Sequence, residues 1–169
     1  MKRSSQSSSH RKPVGGVRSV KLCSAENVEL VEFAADAGCY ERLEFCDDQQ
    51  VMECSLLEDA SQLEECFSFD GGAVVVRHTL TLVAERNDAA AWLEPEFCRE
   101  AAERGLCGVV EMNDGRRLLV GYSERFKAQQ PLRIKEIRSS SGRSLIEAPT
   151  LTMILESYDT SAAALCAGN

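Results

Sequence analysis

Residues 73–86 constrain the fold more than any other stretch, because apolar residues recur there at every second position. Val74, Val76, His78, Leu80 and Leu82 share one side, and Val75, Arg77, Thr79, Thr81 and Val83 share the other. A period of two marks an extended strand with one face turned to a core and the other at least partly wet. Such a strand needs partners, and the sequence offers them. Residues 17–23 and 28–33 are short apolar-rich runs, and 62–69 form another that ends at Asp70-Gly71-Gly72. Residues 43–45 and 51–54 flank the polar run 46–50, which reads as the turn of a hairpin. Residues 106–112 and 116–122 flank Asn113-Asp114-Gly115, and Asp-Gly between β-prone runs is a strong hairpin signal because both central turn positions favour positive φ. Residues 132–139 and 150–157 complete the set, joined by a connection that opens with the polar loop 139–143.

Only one segment has helical spacing. Across 92–104, Trp92, Leu93, Phe97, Ala101 and Ala102 recur on one side, Pro95 stands in the first turn, Gly105 supplies a stop, and Asn87-Asp88 precede as capping residues. The pieces add up to eight or nine strands and one helix. The expected class is therefore mainly β, an antiparallel sandwich or barrel with one packed α-helix at about 92–104. Strands do not alternate with helices, which argues against doubly wound and α/β-barrel folds.

A chain of 169 residues corresponds to one domain, and 44% apolar residues are enough to build its core. Residues 1–16 carry four basic groups, no acid and five serines, and read as a flexible basic arm. Residues 17–160 are expected to form the single β-rich domain, with 161–169 a weakly specified tail. The net charge of -8 speaks against sequence-specific nucleic-acid binding through a basic face. No run approaches the roughly 18 consecutive apolar residues of a membrane-spanning helix, and the amino terminus lacks the apolar stretch of a secretory leader, so no membrane association is expected.

Catalytic and metal-binding patterns are weak. The eight cysteines contain no Cys-x-x-Cys pair, and His10 and His78 stand far apart, so reduced structural thiols are expected, with no metal and no cofactor. His78 is the only histidine outside the arm and lies on the apolar side of its strand, where a core role is the simpler reading. Gly71-Gly72 and Gly105-Leu106-Cys107-Gly108 lack the lysine or glycine spacing of the nucleotide-binding loops. No catalytic residue is assigned, and the expected protein is not an enzyme.

The distribution of charge says more. Residues 24–66 hold thirteen acids against Arg42 alone, a net of -12, and include Glu41, Glu44, Asp47 and Asp48. Residues 116–143 hold Arg116, Arg117, Arg125, Lys127, Arg133, Lys135, Arg138 and Arg143 against Glu124 and Glu136, a net of +6. Opposite patches of this kind orient copies head to tail, which makes these twelve named residues the candidate subunit interface. The simpler alternative is two solvated surfaces that happen to differ.

The stretch 108–123 (Gly-Val-Val-Glu-Met-Asn-Asp-Gly-Arg-Arg-Leu-Leu-Val-Gly-Tyr-Ser), then Gln130-Pro-Leu-Arg133, Ser141-Gly142 and 148–157, resembles the C-terminal part of small tail proteins of bacteriophages and prophages. The order of elements is similar to that of tail-tube subunits. The likeness covers about residues 73–160 and rests on pattern; the acidic N-terminal half matches poorly. It implies a virion structural protein, assembled in the bacterial host cytoplasm, whose partners are copies of itself in a hexameric ring and other tail proteins. It further implies that inner sheets line a channel whose acidic surface lets DNA slide. The arm at 1–16 and the 116–143 patch would then be ring-to-ring contacts. A reading from another class is a β-rich protein-binding adaptor module without catalytic activity.

Overall fold

The computed structural model describes residues 15–167, so the basic arm, apart from Gly15 and Gly16, lies outside the described residues. Eleven strands and one α-helix follow in chain order: β1 Val17–Ser24, β2 Val28–Ala34, β3 Cys39–Phe45, β4 Met52–Cys54, β5 Gln62–Asp70, β6 Ala73–Glu85, α1 Pro95–Glu103, β7 Leu106–Met112, β8 Arg117–Val120, β9 Arg133–Ser140, β10 Thr150–Asp159 and β11 Ala164–Cys166. The chain is mainly β, with two sheets forming a half-barrel and one helix, as the alternation in the sequence implies. The larger sheet runs β2-β3-β11-β8-β7-β1-β4, the smaller β5-β6-β10-β9.

The smaller sheet is built from the clearest alternation. Its inward face carries Leu80, Leu82 and Ala84 of β6 and Leu151, Met153 and Leu155 of β10, which pack on Val20, Leu22, Val110 and Val120 of the larger sheet. Trp92, 2% exposed, closes this core. The opposite side of β7 and β8 is also filled: Val109 and Leu119 join Tyr40, with Val31, Phe33 and Leu43 packed against them. Neighbouring residues of a strand point to opposite faces, so β7 and β8 are occupied on both.

Four expectations change. Residues 43–45 and 51–54 do not form a hairpin, because β3 pairs with β2 and β4 with β1, at opposite ends of the larger sheet. The helix begins at Pro95 instead of 92: Glu94, preceding the proline, is extended at φ -64 and ψ 129, as the proline ring demands, and 90–93 form a separate 3-10 turn. Residues 161–169 are not simply a tail, since β11 inserts between β3, parallel, and β8, antiparallel. With β4 and β11, the strand count exceeds the eight or nine expected. Gly105 does end the helix: its φ is +77, and a Cβ there would lie 2.4 Å from Pro131 Cγ.

Candidate functional site

Among the described residues six buried ones are polar, and two of them, His78 and Ser157, stand in a row with the partly exposed Glu65. Glu65 on β5 is opposite His78 on β6, and His78 is opposite Ser157 on β10, so the register alone puts the three level across adjacent strands. His78 and Ser157 are buried. His78 Nδ1 lies 3.5 Å from Ser157 Oγ. On its other side Nε2 lies 3.3 Å from Glu65 Oε1, close enough for charge to act, but the alignment does not make a hydrogen bond and the buried ring nitrogen has none. Glu65 Oε1 also accepts the Ala163 N–H at 2.6 Å, which ties the segment crossing from β10 to β11 onto the smaller sheet. The His78 ring beside it holds the Glu65 carboxyl below the usual glutamate range, and the Ala163 N–H adds to this against the opposing pull of burial.

Serine, histidine and carboxylate are the side-chain types of a nucleophile–base–orienter set. Here Ser157 and His78 are buried, and His78 Nε2 has no hydrogen-bond partner to orient it. Ser157 is 2% exposed, and His78 lines a small cavity with Tyr40, Tyr122, Glu124 and Asp159. No cysteine lines it. The row acts as a polar rivet joining β5, β6, β10 and the crossover.

Three of the eight thiols, Cys23, Cys54 and Cys107, are equally enclosed, whereas Cys46 and Cys66 are exposed. Burial, with the Glu100 charge in second place, pushes Cys23 up to about 12, and burial pushes Cys54 up to about 12. Cys107, opposite Cys23 in the register, is raised as well, again by burial first. Such thiols stay protonated at neutral pH and are poor nucleophiles. Among the described residues no three His, Cys, Asp or Glu side chains converge as metal ligands. A groove of about 580 Å³, open to solvent, lies between Val17, Leu56, Leu57, Glu58, Asp59 and Asn113, away from His78.

The interface residues named from sequence fall in several places. Arg116 pairs with Asp114 at 2.7 Å in the β7–β8 turn, and Arg117 begins β8 opposite Glu111. Arg125 stands 5.4 Å over the Phe126 ring, and Lys127 meets Glu124 at 2.6 Å. Arg133, Lys135 and Arg138 lie along β9: Arg133 donates to the Ala102 carbonyl at 2.5 Å, capping the helix C-terminus, Lys135 is 3.7 Å from Glu156, and Arg138 pairs with Glu136. Arg143 sits in the β9–β10 loop, where its backbone N–H donates to Glu147 Oε2 at 2.7 Å. On the acidic side, Glu41 and Glu44 are on β3, with Glu44 paired to Arg42. Asp47 is bound to Asn27 and Gln50, and the exposed Asp48 opens the following 3-10 turn. Four of the eight basic residues thus meet a carboxylate within their own segment or on the adjacent strand.

What the residue numbers alone did not reveal is the role of the sheet edges. β5 and β9 are the two outer strands of the smaller sheet, nine and eight residues long. β5 carries Glu64, Glu65 and Asp70 and no base, whereas β9 carries Arg133, Lys135 and Arg138 against Glu136. Each is anchored at its start, Ser61 by the Val17 N–H and Leu132 by a mutual pair with Leu106, and neither has an outer strand partner beyond that point among the described residues. Compared with models of protein families, with curated proteins and with solved structures, the chain matches none of them.

Proposed function

We propose that this chain is a structural protein of a phage or prophage tail that assembles with copies of itself into hexameric rings or a tube conducting DNA, without catalysis. The observation that carries the reading is the pair of unlike edges on the smaller sheet. Because β5, β6, β10 and β9 are antiparallel in turn, the β5 of a second copy placed beside β9 continues the antiparallel order. The acidic edge then faces the basic one. A long strand edge left open is an invitation to pairing, and unlike edges on one chain produce a contact that repeats until it closes into a ring. The resemblance of residues 73–160 to tail proteins supports the same reading, which makes the chain part of the virion, assembled in the host cytoplasm with other tail proteins.

One detail of the expectation is revised. The wet face of the smaller sheet is mixed in charge instead of acidic: Lys135 stands by Glu156 and Arg138 by Glu136, with Thr79, Thr81 and Thr152 between the edges. If this face lines the channel, self-neutralised charges and hydroxyls give a weak field toward phosphate, which lets DNA pass without adhering.

Size-exclusion chromatography with light scattering, followed by negative-stain microscopy of the full chain, tests the reading. Rings or tubes are expected. A monomer whose mass does not change with concentration overturns it and favours the adaptor reading. Reversing the edges supplies the finer test: Arg138→Glu disperses the rings, and Glu64→Arg placed in the same chain restores them.

A further inference from the structure

A carboxylate taken out of water is stable only beside a cation or a full set of hydrogen-bond donors. Asp159, the last residue of β10, is 9% exposed, and among the described residues it forms no ion pair. The hydrogen bond it makes is local, Oδ1 accepting the Thr160 N–H at 2.6 Å. The same side chain lines the cavity beside His78, where the crossover at 161–163 passes the larger sheet, together with Phe33 of β2, Tyr40 of β3, and Tyr122 and Glu124 just past β8. Phe33 and Tyr40 lie 5.0 Å apart between ring centres at 60°, and Tyr40 and Tyr122 6.1 Å apart at 73°. Rings inclined in this way do not hide their faces in mutual stacking, and an aromatic face attracts a cation. Burial first, then Glu124 and more weakly Asp159, raises the Tyr40 hydroxyl above its ordinary range, so the phenol stays neutral beside the two acids. His78, 3% exposed, adds a ring nitrogen, Nε2, without a hydrogen-bond partner.

The composition of this wall selects its ligand. A hard dication asks for a shell of oxygens or a convergent set of His, Cys, Asp and Glu, and no such set occurs among the described residues. An anion is repelled by both carboxylates, and a neutral apolar molecule leaves Asp159 without a counter-charge. Glu124 is exposed and already paired with Lys127 at 2.6 Å, so the buried Asp159 is the acid with a charge to share. We propose that the cavity binds a primary alkylammonium, with the ammonium group on the Asp159 carboxylate and the first methylenes against Phe33, Tyr40 and Tyr122. The site lies within one chain and uses neither β5 nor β9, so it stands apart from the assembly reading.

Isothermal titration calorimetry of the full chain with n-butylammonium chloride, at neutral pH and physiological salt, tests the proposal beside n-butanol, a neutral molecule of the same length. Amide shifts of nitrogen-15-labelled protein locate the contact, and circular dichroism confirms the fold of each variant. Saturable binding of n-butylammonium is expected, with shifts gathered at Ser123, Glu124 and Ala162–Ala164. Asp159→Asn is expected to weaken it by about tenfold or more, as for a lost charge-assisted hydrogen bond, and n-butanol should bind more weakly by a similar factor. Tyr122→Leu, which serves even if the Asp159 variant does not fold, is expected to weaken it by about threefold. Glu58→Gln, in the groove away from His78, should change nothing. No saturation at tens of millimolar overturns the proposal, and n-butanol binding as tightly as the ammonium overturns it by making the cavity merely apolar. Affinity unchanged in both cavity variants, or shifts scattered over surface acids, also overturns it by assigning binding to the net charge of -8. The titration reads the same on a monomer, so a failure to form rings does not bear on it.

Discussion

The two sheets bury their residues differently. In the larger one, β7 is buried at five successive positions, 106–110, and β8 at 118–120. In the smaller one, β10 buries every second residue, and β6 does so from Val76 to Ala84. A strand covered on both faces contributes packing from each, whereas a strand with one wet face contributes half as much and keeps a surface in reserve. The middle of the larger sheet is thus covered within the monomer, while its outer strands, β2 and β4, have no outer strand partner among the described residues either. The smaller sheet adds a wet face to its two open edges, so it is where association has the most material to work with.

The sharpest way to break this contrast is to make the same truncation on both sheets. Leu119, 2% exposed on β8, is enclosed by Tyr40, Val109 and their neighbours, and Leu119→Ala is expected to cost about 2–5 kcal/mol. Ile154 is half-buried on the wet face of β10, and Ile154→Ala is expected to cost about 1 kcal/mol or less. Chemical denaturation of both variants measures the difference, and equal losses would mean that the smaller sheet's outer face is covered in the monomer after all.

A second contrast uses glycines of similar backbone angle. Gly121, at φ +82, closes β8, and a Cβ there would stand 2.5 Å from the Leu106 carbonyl oxygen and 2.9 Å from the Leu132 nitrogen, where backbone cannot yield. Gly121→Ala is expected to lower stability by on the order of 3 kcal/mol, combining left-handed strain with the collision. Gly72, in the β5–β6 turn at φ +88, has no atom within 4 Å of such a Cβ, so Gly72→Ala keeps only the conformational penalty of about 1 kcal/mol. Thermal unfolding separates the two, and a Gly72 variant as damaged as the Gly121 variant would show that the hairpin end is packed rather than free.

Much of this was legible because the relevant physics is local. Alternation in 73–86 places β6 and its faces correctly, and Asp114-Gly115 marks the β7–β8 hairpin, although only Gly115, at φ +88, takes the positive angle expected of both turn residues. The failures are pairings made at a distance. The polar run 46–50 resembles a hairpin turn, yet the strands on either side find better partners in β2 and β1. β11 is three residues long, and its place between β3 and β8 depends on where those strands leave a gap, not on any propensity of Ala164-Leu165-Cys166. The row of Glu65, His78 and Ser157 had one visible sign, a histidine on an apolar face, but its partners come from strands that only register brings level. The cavity around Asp159 was out of reach for the same reason, since strands of both sheets and the crossover close it.

The smallest expected effect concerns the seam between the two sheets. Glu65 holds the crossover through Ala163, and in the folded chain its carboxyl lies below the ordinary value of 4.5. A carboxyl with a depressed folded value adds stability that is fully present above its unfolded value and is lost as pH falls through the folded one. The stability of wild type against urea should therefore fall as pH drops below the ordinary glutamate value of 4.5. Glu65→Gln retains an oxygen for the Ala163 N–H but has no charge to lose, so its profile should be flatter over the same range. Because the Glu65 side chain is 27% exposed, solvent screens part of the interaction and the difference in slope should be modest. Parallel profiles for the two proteins would detach Glu65 from His78 energetically, reduce the rivet to the single bond with Ala163, and leave the larger and smaller sheets joined at this end by packing alone.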